Sequence, residues 1–338
     1  MMEISIAVSV FIGCASVIAV AGYQLVKYAE QLSAITGIGE ALFGAILLGA
    51  ITSLAGIITS VTAAWQGHPE LAMSNAIGGI AAQTLFLAVA DVFYRKANLE
   101  HSSASFANLL VGLLLIVMLS FMLMVIFAPE VTIFQIHPAS ILLLIIYYVG
   151  NRFINQAKSA PMWFPKNTDE TVQDIPTAQD GDGVNLPLLW AKFGLLAVVV
   201  GFAGYMIATT GVRIAQESGM TEGLVGSLFT AVITSIPELI VTIAAVRQNA
   251  LTLAVANIIG GNSFDVLFVS FSDFAFREGS LFHAVGNEQI FVLILTQLLT
   301  AVLIGGLLIR QREGIVNIGW ESALIILLFV GGYVILYA

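Results

Sequence analysis

The chain has 338 residues, of which 59% are hydrophobic and only 10% are Asp, Glu, Lys or Arg, against about 25% in an ordinary soluble domain. A mean hydropathy of +0.97 excludes a soluble globular protein, a disordered chain, a disulfide scaffold and a collagen-like fibre. The net charge of −9 leaves nucleic-acid binding without an electrostatic basis. An all-α polytopic membrane protein remains. A span takes about 20 apolar residues, and the apolar runs predict ten transmembrane helices, at 4–28, 38–65, 70–93, 106–128, 132–152, 187–210, 221–247, 250–274, 287–309 and 316–337. The first run holds Cys14, the only cysteine. It lacks a basic leader and is longer than a signal-peptide core, so it reads as an uncleaved span. The runs are apolar on all sides, which fits helices and not the alternating strands of a membrane barrel.

One sizeable polar stretch interrupts them, from Asn155 to Asn185, with Pro161, Pro165, Pro176 and the acids Asp169, Glu170, Asp174, Asp180 and Asp182. It reads as an acidic linker over 154–186, separating five spans in 1–153 from five in 187–338. It is too short to fold as a regulatory domain, and deleting part of 165–183 is expected to leave the remainder working. With both termini outside, ten basic residues (Lys27, Arg95, Lys96, Arg152, Lys158, Lys166, Lys192, Arg247, Arg310 and Arg312) fall on the inner side, and two, Arg213 and Arg277, on the outer. That bias predicts a cytoplasmic linker.

Shifted by 182 residues, the sequence meets itself. Gly37–Arg95 aligns with Gly219–Arg277 without a gap. Glu40 meets Glu222, Thr52-Ser53 meets Thr234-Ser235, Asn75 meets Asn257, Gly78-Gly79 meets Gly260-Gly261, Asp91 meets Asp273 and Arg95 meets Arg277. Leu and Ile matches between apolar segments carry little weight, but shared Thr-Ser, Asn, Gly-Gly and Asp at one offset indicate duplication. Five spans per half is an odd number, so the second half is expected upside down relative to the first. Inverted repeats are an architecture of secondary transporters, with sites near the bilayer midplane where helices are interrupted.

Polar residues inside spans are costly and usually functional. Glu238 follows Thr234-Ser235-Ile236-Pro237 midway along the seventh run. Pro237 removes a backbone donor and frees the carbonyls before it. Together with the Thr234 and Ser235 hydroxyls this makes a cluster of hard oxygens suited to Na⁺ or Ca²⁺. Asp265 closes Gly260-Gly261-Asn262-Ser263-Phe264-Asp265 in the next run. The plain alternative for either acid is an interhelical hydrogen bond with no ion.

These two segments resemble the signature motifs of the sodium/calcium exchanger (Ca²⁺/cation antiporter) superfamily, a Thr-Ser-Leu-Pro-Glu-like and a Gly-Asn-x-x-Gly-Ser-Asn-x-Phe-Asn/Asp-like segment. Asn257–Asp265 is similar to the latter across its length. The resemblance implies Thr234, Ser235, Glu238 and Asp265 as cation ligands, with Thr52 and Ser53 from the first half and Gln83 as a neutral oxygen donor. It also implies that the second, third, seventh and eighth spans form the ion core and that the first and sixth move. The first repeat departs from the family. Ala55 and Gly56 replace its Pro and Glu, and Gly79 and Gln83 stand at its Ser and Asn positions. Two carboxylates therefore remain, which balance one divalent or two monovalent cations.

The expected function is secondary antiport of Ca²⁺ or a related cation against Na⁺ or H⁺, with no cofactor and no enzymatic activity. Inorganic cations and the bilayer are its only implied partners. The rivals are a monovalent Na⁺/H⁺-type antiporter, a non-transporting scaffold or sensor whose site has decayed, and an intramembrane enzyme using Glu238 and Asp265. The enzyme is disfavoured, because the chain lacks a Gly-x-Gly-Asp motif. Asp180-Gly181-Asp182-Gly183 fails as a calcium loop, with Asn185 and Ala191 where Gly and Glu are needed. His68, His101, His137 and His283 show no metal spacing. Glu40 and Glu222 are expected at the interface, and Asp91 and Asp273 as solvated caps or partners of Arg95 and Arg277.

Overall fold

A computed structural model describes residues 4–36, 49–94, 97–103, 105–159, 161–171, 185–314 and 318–338. Among them the chain is helical, without a β-strand. In lipid each backbone N–H and C=O must be satisfied within the protein, and a helix does this within one segment. Helix α1 (Ile4–Val17) passes through a π-turn at Ile18–Gly22 into α2 (Tyr23–Thr36). Then come α3 (Leu54–Trp65), α4 (Pro69–Phe93), the short α5 (Leu99–Ser102), α6 (Phe106–Ile126) and α7 (Pro138–Ser159). The second half contains α8 (Leu186–Ser218), α9 (Glu222–Thr234), α10 (Ile236–Arg247), α11 (Leu251–Asp265), α12 (Leu267–Ala275), α13 (Asn287–Ile309) and α14 (Trp320–Tyr337). Helix α4 is the centre of the packing and touches α3, α9, α11, α13 and α14, while α8 lies across α1 and α3.

Among the described residues, seven helical segments are long and apolar enough to cross a membrane, or eight if the α9–α10 pair, bent by 45°, is one span. The predicted span at 38–65 begins within 37–48, outside the described residues, and α3 is its described end. The fifth predicted span starts later than expected, at Pro138. Ile133 and Ile136 pair across a two-residue turn in which Phe134 and Gln135 take φ of 53° and 66°, a conformation that reverses a chain tightly. Helix α7 then runs to Ser159, into the stretch read as linker.

The 182-residue offset recurs in the hydrogen bonds. Ser53 (φ −93°, ψ 13°) and Ser235 (φ −96°, ψ 3°) both break a helix, although only the second break is followed by proline. The Ser53 N–H donates to Gly49 and that of Ser235 to Ala231, both at 3.1 Å. Asn75 donates to Ser60 at 2.9 Å and Asn257 to Thr242 at 3.1 Å.

Asp91 and Asp273 are not solvated, and among the described residues their hydrogen-bond donors are not arginines. Both are fully buried. Asp273 accepts the backbone N–H groups of Leu281 and His137, each at 2.9 Å, and the Ser140 hydroxyl at 2.6 Å. Asp91 accepts those of Leu99 at 2.7 Å and Gly319 at 3.0 Å, residues 182 positions from Leu281 and His137 respectively. Each aspartate pins two loops that a helical ladder cannot satisfy. Arg277 is exposed, and Arg95 lies outside the described residues.

The linker is also more engaged than its composition suggested. Arg310 donates to the carbonyls of Lys166 at 2.5 Å and His101 at 2.6 Å and to the Thr171 hydroxyl at 3.1 Å. Glu170 meets Arg312 at 2.6 Å. Residues 166–171 therefore strap one face of the helix bundle, and a harmless deletion has to spare them.

Asp273→Ala would strand three donors, two of them buried main-chain N–H groups. At about 1 kcal/mol or more for each, the variant should lose about 3 kcal/mol of stability. A thermal unfolding midpoint in detergent equal to wild type would contradict this role.

Candidate cation site

The two helix breaks bring the polar residues together. A break at Ser235 ends α9 and starts α10, which has Pro237 and Glu238 in its first turn. Proline suits that position, where its missing N–H has no helical partner to lose. The matching break at Ser53 turns α3 toward the same point. Ser53, Gly56, Asn75, Gly79 and Gln83 from the first half and Thr234, Ser235, Glu238, Asp265 and Phe268 from the second line one narrow cavity, tightly closed around its polar groups. Thr234, Ser235, Glu238, Asp265, Ser53 and Gln83 are all buried, none exposing more than 4% of its surface.

Asp265 accepts the Ser53 hydroxyl on Oδ1 at 2.6 Å and the Gln83 amide on Oδ2 at 2.5 Å. The same Gln83 nitrogen reaches Ser235 Oγ at 3.3 Å. Gln83 and Asp265 are equivalent positions at the 182 offset, as are Ser235 and Ser53, so the cluster is near-symmetric across the two halves. Glu238 is engaged differently. Its Oε2 is buried without a hydrogen-bond partner. A carboxylate in that condition is costly unless a proton or cation joins it.

Six of the seven residues expected to bind cation line the cavity. Thr52 does not, and its hydroxyl turns back to the Gly49 carbonyl at 2.9 Å. Gln83 faces Asp265 with its amide nitrogen, and its oxygen is left unpartnered. Asn75 belongs to the lining, although sequence reasoning left it out of the site. Its match to Asn257 was the available signal. It is fully engaged with the Gly56 carbonyl, Ser60 and Thr230, at 3.3, 2.9 and 2.6 Å.

Gly56 stands at the position equivalent to Glu238. A side chain there would meet Phe268, whose ring lies 2.6 Å from an ideal Cβ. The ring fills the space that a second glutamate would need.

The remaining acids and histidines lie elsewhere. Glu222 is half-buried and bonds His68 at 2.6 Å. That hydrogen bond holds the His68 imidazole above its ordinary pKa, against burial, which pushes it down. Glu40 lies outside the described residues. The His137 and His283 rings stand 5.4 Å apart, and no group of three or more His, Cys, Asp or Glu among the described residues could hold a metal.

With this geometry in view, comparison with known proteins is decisive at the family level. Residues 6–154 and 188–338 match the model of the sodium/calcium exchanger protein family. The chain belongs to that family. It is 23% identical over 318 residues to the putative antiporter CaxA of Alkalimonas amylolytica, spanning 93% of each chain. It is 30% identical over 139 residues to the sodium/calcium exchanger MaX1 of Methanosarcina acetivorans, spanning 39% of this chain and 38% of that one. Its fold resembles the crystal structure of the H⁺/Ca²⁺ exchanger CAX (TM-score 0.75, 13% identity, 97% of this chain and 82% of that one). It also resembles the sodium-calcium exchanger NCX_Mj (TM-score 0.61, 17% identity, 98% and 99%). The protein is thus a multi-pass membrane antiporter of the exchanger family.

The close approach of Phe268 makes a prediction. Gly56→Glu alone should destabilise the protein by about 1–3 kcal/mol through overpacking, and Phe268→Ala in the same chain should restore part of that loss. An unfolding midpoint unchanged in Gly56→Glu would show that the ring does not fill this space.

Proposed function

We propose that this exchanger carries Ca²⁺ or a related cation against Na⁺ or H⁺ by alternating access, with the cavity between the Ser53 and Ser235 breaks as its transport site. The observation that carries the reading is the buried, unpartnered Oε2 of Glu238 beside hydroxyls of both halves and Asp265. A desolvated carboxylate in hard-oxygen surroundings is a ligand for a hard cation or a proton. Ser235, Thr234, Glu238, Asp265 and Ser53 are the residues assigned to the ion. Gln83 holds Asp265 in place through its amide, and Thr52 shapes the break.

The architecture assigned to this activity is two inverted five-helix repeats, 1–153 and 187–338, joined by a linker. Matched hydrogen bonds at one offset support it. The excess of basic residues on one side supports a cytoplasmic linker and outward termini. The long contact of α8 with α1 and α3 suits helices that slide as a pair over a fixed ion core.

A monovalent Na⁺/H⁺ cycle is a second reading, favoured by one observation. Both oxygens of Asp265 already accept hydrogen bonds, so Glu238 alone is free to change partner. Uptake of radiolabelled Ca²⁺ and Na⁺ into liposomes, under imposed Na⁺ and H⁺ gradients, separates the two. Ca²⁺ uptake driven by either gradient supports the first reading, and Na⁺ uptake driven only by a proton gradient supports the second.

Glu238→Gln and Asp265→Asn should each abolish exchange while the protein stays folded, since burying an amide costs less than burying a charge. Wild-type rates in both variants would remove the cavity from the transport path.

Two carboxylates carry a charge of −2, which one divalent or two monovalent cations cancel. Net charge at the midplane is heavily penalised, so the cycle should move one Ca²⁺ against two Na⁺ or two H⁺, without current. In liposomes clamped with K⁺ and valinomycin, the equilibrium ion gradient should then be independent of voltage. A clear voltage dependence would require another acid in the site.

A further inference from the structure

A second buried acidic pair lies away from the transport cavity, where α5 meets the start of α14. Glu100 exposes 1% of its surface and Glu321 none. Among the described residues no cation contacts either. Arg310, at the end of α13, donates to His101, Lys166 and Thr171, and Arg312 pairs with Glu170 and Glu313. Asp91, on α4, accepts the backbone N–H groups of Leu99 and Gly319. His101, next in α5, bonds the Arg310 carbonyl and Thr168. Among the described residues the only side-chain donor to the pair is the Ser322 hydroxyl, which reaches Glu100 Oε1 at a long 3.5 Å. Glu100 Oε2 and both oxygens of Glu321 have no donor.

The fold does not need acids here. At the 182 offset Glu100 corresponds to Phe282 and Glu321 to Ala139, both buried. Around them the aspartate, its two backbone donors and the serine (Ser322 and Ser140) occupy equivalent positions in both halves. An apolar pair builds one corner of the molecule and two carboxyls build the other. The second corner is also shaped for the acid. Side chains at Gly306 or Gly319 would run into Glu321. Glu321 is thus packed on two sides, and no metal-binding cluster of His, Cys, Asp or Glu occurs among the described residues. A proton needs no added volume.

We propose that Glu100 and Glu321 form a proton-binding site, separate from the transport cavity, in which one proton shared between the two carboxyls fastens α5 to α14. Two adjacent buried carboxylates cannot both ionise. One retained proton turns two mutually repelling acceptors into an O–H···O hydrogen bond and leaves a single charge. Burial, and then the charges of Asp91 and Glu321, hold the Glu100 carboxyl well above the ordinary range. Folding therefore takes up a proton above about pH 4.3, where the unfolded glutamate has lost it. The stability this proton contributes is full below that pH and is lost as pH rises through the folded-state value.

The test uses the full chain in detergent and does not depend on transport. Thermal midpoints are measured from about pH 4 to pH 9, spanning the ordinary glutamate value upward, for wild type, E100Q, E321Q and the double variant E100F/E321A. The double variant carries the residues of the other corner. The wild-type midpoint should fall with rising pH more steeply than that of any variant, the difference amounting to one proton fewer taken up on folding. Infrared spectra at neutral pH should show one protonated-carboxyl band lost in both E100Q and E321Q. Parallel pH profiles with an unchanged band would overturn the proposal. So would a Ca²⁺-induced rise in wild-type midpoint that both single variants lose, because it would identify a metal site. If the double variant fails to fold, the two glutamine variants decide.

Discussion

Asp265 ties the two halves of the chain together at the helix breaks. Its carboxylate takes one donor from Ser53, 212 residues away, and one from Gln83, 182 residues away. Charge-assisted hydrogen bonds in a water-poor interior are strong, and leaving one unmade is expensive. The tie is possible because two helices stop at Ser53 and Ser235. An interrupted helix can turn main-chain groups as well as side-chain hydroxyls toward a point inside the bundle. Irregular backbone at membrane depth is tolerated only where the protein itself buries it or a cavity receives it. Breaks, acid and cavity are therefore one device.

Within that device the halves are unequal. Glu238 stands in one, and in the other Gly56 leaves room that the Phe268 ring takes up. An aromatic ring replaces a charge with dispersion contacts and excluded water. The Oε2 of Glu238 is left buried without a hydrogen-bond partner.

At the ends of the bundle the same economy appears twice, through Asp91 and Asp273. A loop between membrane helices cannot satisfy its own amides, and one buried carboxylate gathers two loop N–H groups at a time. Around this shared frame the corners diverge, one filled by Phe282 and the other by Glu100 and Glu321. Shared geometry with different filling separates what the fold requires from what has been added to it.

The sequence by itself determined the membrane class and the duplication, and it singled out most of the polar residues that line the central cavity. Apolar length, repeated polar letters and a proline-flanked glutamate are local signals that survive without coordinates. Thr234, Ser235, Glu238 and Asp265 were legible for that reason, and Ser53 and Gln83 through the resemblance to the exchanger family. Only the tertiary structure decided that Thr52 turns away, that Gln83 offers nitrogen to Asp265, and that Asn75 joins the lining. It also decided that Asp91 and Asp273 are buried caps and that residues 166–171 strap the bundle. Most of these depend on groups remote in the chain. The Gln83 amide is oriented by Asp265, 182 residues away, and the aspartate caps each take one donor from the other half. Hydrogen-bond satisfaction across such separations is a property of packing, which composition and periodicity do not encode.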